Sequence, residues 1–316
     1  MNNKKKITTI VFITFFILII CSTVIYGINL YNDNKFTFNI SDTLENGNHI
    51  KAKVILLGGQ SNASGCSSDE YLKMNVSEEK YAEYENGYDN VYINYFATGT
   101  NASNGFVKCA NKQGEFGNYF GPELGLAEAL HETYPDQLFF IIKCAWGGTN
   151  LFEQWLSPSS KGKTGKLYKQ FIKYVETSLE YLVSKDYDVS IEGMCWMQGE
   201  SDSFFVETAK GYEKNLTNFI NDIRNEFFRY ESNDGIAFID ADIACNPTYW
   251  VYYEYVNNSK HNLLGVVESY SLIDTNAHGL TVSLEPVDTP DMAHYDSLSQ
   301  IKLGHLFAEE IIKYFD

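Results

Sequence analysis

The chain has 316 residues, 44% of them hydrophobic and 15% aromatic, enough for one large packed domain and incompatible with disorder or low complexity. Its formal charge is −17, and because residues 1–30 hold three lysines and no acid, the remainder carries −20. A body so acidic repels nucleic acid and anionic membrane surfaces, which excludes nucleic-acid binding as its task.

Lys4, Lys5 and Lys6 stand before an apolar run from Ile7 to about Leu30. That run reaches the roughly 20 residues needed to cross a bilayer. The basic flank predicts an N-terminus inside and a body outside the cytoplasm. A cleavable signal peptide with Gly27 near the cut is the alternative, although no A-x-A-like site is present. Residues 1–30 are therefore expected to be a membrane anchor or signal segment, and 31–50, polar and Asn-rich, a stalk. The domain proper is expected over 51–316.

Within it, short apolar runs predict buried strands at 53–58, 91–96, 138–144, 190–197 and 236–240. Pro122 suits the first turn of a helix through "PELGLAEALHETY". Helical spacing recurs at Phe171, Val175, Leu179 and Leu182, again from Ala209 through Leu216 and Ile223 to Phe227, and around 298–315. Residues 64–120 lack regular spacing and are expected to be a long decorated loop around one strand. Strand and helix in alternation predict an α/β fold with a parallel sheet covered on both faces. Of five cysteines beyond residue 30, none forms a CxxC spacing, which argues against a disulfide framework and against a zinc site. Cys144 and Cys195 read as core, while Cys66 and Cys109 lie in polar loops where a bridge is conceivable.

In such folds chemistry collects where strands end and helices begin. The first strand ends in "GGQSN", where Ser61 is either a helix cap or a nucleophile beside backbone N–H donors. The third ends in "KCAWGGTNLFEQW", offering the N–H of Gly147 or Gly148 to a substrate oxygen. The fourth ends in "WMQGESD", four polar groups at one strand tip, with the Gln198 amide able to donate to an oxyanion. Before the last helix comes "DMAHYDS", in which Asp291 and His294 can meet within one turn as orienting acid and base. His278 is the nearest rival histidine.

Taken in order, "GQSNASG", "GPELGLAEAL", "KCAWGGTNLFEQW", "WMQGESD" and "DMAHYDS" resemble the motifs of the SGNH-hydrolase superfamily, and within it carbohydrate esterase family 6 and the sialate O-acetylesterases. The resemblance spans about residues 52–315. It implies a three-layer α/β/α, flavodoxin-like fold and a serine esterase that removes O-acetyl groups from carbohydrate. Ser61 is then the nucleophile and His294 the base. Asp291 is the orienting acid, with Glu200 as the competing assignment. The N–H groups of Ser61 and of Gly147 or Gly148, with the Gln198 side chain, form the oxyanion hole. Asn62, Trp155 and Asp202 are the expected substrate contacts. Met292 departs from the glycine that the family often places after the acid.

No metal, organic cofactor or obligatory protein partner is expected. The substrate is an acetylated glycan, either acetylxylan or an O-acetylated sialic acid. The acidic body disfavours the latter unless a local cation such as Lys143 or Lys108 offsets it. The tyrosine-rich stretch 246–256 is either a sugar-stacking face or packed core. Two further readings are a glycan-binding protein that keeps the fold without catalysis, and an esterase of cell-wall acetyl groups.

Overall fold

A computed structural model describes residues 38–98 and 101–315. The strands are β1 (Lys51–Gly59), β2 (Ser67–Ser68), β3 (Val91–Ala97), β4 (Asn101–Ala102), β5 (Val107–Lys108), β6 (Tyr119–Phe120), β7 (Leu138–Ala145), β8 (Asp188–Met197), β9 (Ala237–Ala241) and β10 (Tyr270–Ile273). The helices are α1 (Ser61–Ser64), α2 (Asp69–Asn75), α3 (Glu78–Asn86), α4 (Glu123–Thr133), α5 (Lys166–Ser184), α6 (Val206–Phe227), α7 (Tyr253–His261) and α8 (Ser297–Ile311).

The main sheet runs β10-β9-β8-β1-β7-β3-β4, with β5 also on β3. It is parallel except where β4 and β5 pair antiparallel to β3. The stretch β7-β1-β8-β9-β10 reproduces the flavodoxin-like 2-1-3-4-5 order. β3 is added beyond β7 at the edge. This places β1 at the switch point, where chain connections leave in opposite directions, and Val54 to Leu57 are fully buried there.

Side chains of β8 alternate between the two covered faces. Trp196 packs on Phe219 of α6 at 4.6 Å between ring centroids and meets Trp155 edge-on at 5.2 Å. Gly193, of opposite parity, faces Ile311 of α8. On that second face α4 and α8 cross with their backbones in contact. A Cβ on Gly125 would lie 2.0 Å from the Ile301 carbonyl oxygen, and one on Gly304 2.2 Å from that of Pro122. Alanine at either position would force the helices apart.

All five expected strands and the four long helices are present, two regions differ from expectation, and the tyrosine-rich stretch divides between its two readings. Residues 64–120 contain α2 and α3, each opened by a serine (Ser68, Ser77) whose hydroxyl accepts the N–H two or three residues on. Both helices are polar and short, so no apolar period announces them. Part of the tyrosine-rich stretch is the start of α7: Trp250 is buried against Phe204, while Tyr255 is exposed. Residues 38–50 do not hang free as a stalk. The Tyr181 hydroxyl accepts the N–H groups of Thr43 and Leu44, and Gly47 N–H donates to Lys185 O. The expected N-terminal anchor or signal segment lies outside the described residues. Among the described residues no helix is long and apolar enough to cross a membrane.

Candidate active site

β1 ends against β8. Gly59 has φ +137°, and a Cβ there would fall 2.0 Å from the Met197 carbonyl oxygen, so only glycine lets the chain turn so close to its neighbour. Gln60 N–H then donates to that same carbonyl at 2.9 Å, and α1 starts at Ser61. Ser61 is 8% exposed at the carboxyl edge of the sheet.

The residues on either side of Ser61 bind the other motifs to it. Gln60 Oε1 accepts the N–H of Ser201 at 3.2 Å and of Gly199 at 3.4 Å, which fixes the loop after β8. Asn62 Nδ2 donates to Glu200 Oε1 at 2.9 Å and to Ala293 O at 3.4 Å, and Asn62 Oδ1 accepts Tyr295 N–H at 3.0 Å. Asn62 thus grips the residue before and the residue after His294. Gln300 of α8 adds a bond to the Asn62 carbonyl. Asn62 is 2% exposed, so it positions the base loop beside Ser61 and does not meet substrate as expected.

Asp291 Oδ2 lies 2.6 Å from His294 Nδ1. Of the two competing acids, Asp291 is the one hydrogen-bonded to the imidazole, and Glu200 is bonded to Asn62 instead. With Nδ1 turned to the carboxylate, Nε2 is the atom left to take a proton. Burial works against the charged imidazole, but the Asp291 hydrogen bond and the charges of Asp291, Glu115 and Glu200 together hold the His294 pKa above its ordinary value. Asp291 is lowered in turn: burial opposes the shift, and the His294 bond outweighs it. The rival His278 is exposed, its backbone tied to Asp274 and Lys302.

Several expected roles are corrected. The two hydrogens of Gln198 Nε2 go to Asp202 Oδ2 at 2.7 Å and Thr149 O at 3.0 Å, and its Oε1 accepts the Tyr212 hydroxyl. A fully buried amide so committed has no donor left for an oxyanion. Gly147 N–H is taken by Thr98 Oγ1 at 3.1 Å. Gly148 is exposed, with φ +67° and open space where a Cβ would stand. Asp202 is wholly buried and accepts the N–H groups of Leu151 and Phe152, tying the loop after β7 to the loop after β8. Burial raises its pKa to about 6 despite those bonds. Trp155 is wholly buried, its indole N–H on Thr149 Oγ1. Neither Asp202 nor Trp155 can touch substrate.

The expected local cations are engaged elsewhere. Lys143 is fully buried between Glu123 Oε2, at 2.7 Å, and Gln113 O, while Lys108 pairs with Asp89. Cys66 and Cys109 are not bridged; all five described cysteines are free. A group the sequence did not single out is Glu115, half-buried, whose Oε2 accepts from Cys66 Sγ at 3.1 Å and Ser64 Oγ at 3.4 Å. Its carboxylate oxygens come within 3.1–3.4 Å of where a Gly147 Cβ would be. A depression of about 240 Å³ opens beside His294, lined among others by Cys66, Tyr71, Tyr119, Pro286 and Asp291.

A serine at the switch point of a parallel sheet, with an Asp-oriented histidine on the loop before the last helix, defines a carboxylic ester hydrolase of the SGNH type. The chain matches the family described as carbohydrate esterase, sialic acid-specific acetylesterase over residues 51–313, and belongs to it. No curated protein matches it in sequence. In fold it is similar to a protein from Arabidopsis thaliana (TM-score 0.61, 18% identity, covering 84% of this chain and 100% of that one). It is similar to NanS as well (TM-score 0.62, 14% identity, 84% and 98%). A carbohydrate acetylesterase from Xanthomonas citri aligns over 83% of this chain and 56% of its own (TM-score 0.51, 15% identity). The protein is a carbohydrate O-acetylesterase.

Proposed function

We propose that the substrate is an O-acetylated neutral glycan of the acetylxylan kind, deacetylated through an acetyl-serine on Ser61. One observation carries the choice of a neutral sugar: the charges that act most strongly on His294 are Asp291, Glu115 and Glu200, all acidic. The depression beside it adds Glu285 and Asp296 and no lysine or arginine. The lysines whose charge reaches this corner, Lys143 and Lys260, are fully buried and bound to Glu123 and Asp240. A carboxylated sugar would enter against this field with no free lysine or arginine among the described residues lining the depression to receive it.

In the reaction His294 Nε2 takes the Ser61 hydroxyl proton as Oγ attacks the acetyl carbonyl. The N–H groups of Ser61 and Gly148 hold the oxyanion, each such donor being worth about 3 kcal/mol of barrier. His294 then protonates the departing sugar oxygen, and water repeats the sequence on the acetyl-enzyme. The enzyme works outside the cytoplasm, held there by residues 1–30, a reading supported by Lys4, Lys5, Lys6 and the apolar run behind them.

The test is acetate release by the full chain from acetylated xylan and from an O-acetylated sialoglycan, with Ser61→Ala in parallel. Release from xylan at least about tenfold faster, and lost in Ser61→Ala, is the expected result. Faster release from the sialoglycan would overturn the neutral-sugar assignment while leaving the esterase intact.

A further inference from the structure

Away from the catalytic residues, three side chains converge at the carboxyl edge of β9 and β10. Asp242 follows β9, Asp274 follows β10, and His261 closes α7. One ligand atom from each lies within 4.8 Å of the others, and His261 Nε2 is 2.8 Å from Asp242 Oδ2. Asp242 is only 3% exposed, and its second oxygen, Oδ1, is buried with no hydrogen-bond partner. A buried carboxylate oxygen without a donor is costly, and in native proteins such a group points to a missing partner. Lys260, the nearest buried cation, is already spent on Asp240 Oδ1, Gln198 O and Ala241 O.

We infer that Asp242, His261 and Asp274 bind one divalent transition-metal ion of the zinc class. Zinc sits about 2.0–2.2 Å from imidazole nitrogen and carboxylate oxygen, so two donors on one ion lie at most about 4.4 Å apart. The observed spacing reaches that range by small rotations of His261, whose side chain is 44% exposed, and of the partly exposed Asp274. The same exposure gives the ion an entry from solvent. One imidazole with two carboxylates suits zinc better than calcium or magnesium, which prefer oxygen alone. Cys245, whose Sγ accepts from Asn276 Nδ2 at 2.9 Å in the loop that carries Asp274, is a soft group next to the site.

The three donors come from three elements separated by 13 or more residues, so no short spacing motif marks them. Their union ties β9, β10 and α7 together. The Asp242 carbonyl also accepts the hydroxyls of Thr275, at 3.2 Å, and of Tyr295, at 3.3 Å, the residue after His294. The ion is thus a structural brace behind the base loop and takes no part in acyl transfer.

The experiment uses the full chain in detergent, stripped with a chelator and titrated with zinc chloride by calorimetry, with thermal melting at each step. The expected result is one zinc per chain and a rise in Tm of at least about 3 °C at saturating zinc. His261→Ala and Asp274→Asn, chosen because both side chains reach solvent, each weaken that binding at least about tenfold. Far-UV circular dichroism of both variants confirms that they are folded. Zinc binding that survives both substitutions, or calcium binding more tightly than zinc, would overturn the assignment.

Discussion

Two histidine–carboxylate pairs of nearly equal length serve different ends in this molecule. Asp291 and His294 meet at 2.6 Å on the loop before α8, and Glu128 and His305 at 2.7 Å where α4 crosses α8. Glu128 also accepts from Lys80 Nζ and the Tyr84 hydroxyl, each at 2.7 Å. Burial alone would raise its pKa, yet those three donors bring it down to about 2. Among the described residues Asp291 has no cationic partner besides the imidazole; its further donors are the backbone N–H groups of Ala293 and His294. Its charge therefore falls on His294, and Asn62, the residue after Ser61, bonds the residues on either side of that histidine. A paired histidine becomes a base because of who else shares its carboxylate and what stands in front of it. The pairing distance carries no such information.

The largest test of that contrast removes the unshared carboxylate. Asp291→Asn should lower kcat/KM by about 10³–10⁴-fold, since the imidazole loses both its tautomer and its partner charge. In the unaltered enzyme kcat/KM should rise with pH through a midpoint above the ordinary histidine value of about 6.5, because His294 must be neutral to act. In Asp291→Asn the residual activity should show that midpoint at lower pH, as burial is then less opposed. A pH–rate profile of both proteins checks the sign.

Next in size is Asn62→Ala, which releases Ala293 and Tyr295 while leaving Ser61, Asp291 and His294 in place. Misplacement of the base should cost about 10²-fold in kcat with KM little changed. Steady-state kinetics that show a loss in KM alone would return Asn62 to substrate binding. At the other pair, Glu128→Gln should leave kcat intact and cost about 2–3 kcal/mol of stability, because Lys80, Tyr84 and His305 lose a charged acceptor. A depressed carboxylate contributes stability above its ordinary pKa of 4.5, lost as pH falls toward about 2. Denaturant melts of wild type and Glu128→Gln should therefore converge as pH drops through that window.

Much of this was legible in the sequence where the information is local. The apolar runs of β1, β7 and β8 announce buried parallel strands, and Asp291 and His294, three residues apart, declare their own pairing. What could not be read depends on partners far along the chain. Gln60 and Asn62 look like neighbours of a nucleophile, but Asn62 meets Glu200 across 138 residues and Tyr295 across 233. Gln198 has the chemistry of an oxyanion donor, and only the fold reveals that Asp202 and Thr149 have claimed its hydrogens. Lys143 reads as a local cation that could receive an acidic sugar, yet it sits in a fully buried ion pair with Glu123. Glu115 lies in the region with no periodic signal, so nothing in its surroundings marked it as a neighbour of the site.

The central claim is that Ser61 is the group activated by the Asp291–His294 pair. The most direct test is to treat the full chain with a serine-reactive fluorophosphonate and map the adduct by peptide mass spectrometry. A single adduct on Ser61, formed in step with loss of acetate release and greatly slowed in Asp291→Asn, is the predicted result. Labelling at another residue, or acetate release that persists once Ser61 is fully modified, would contradict it.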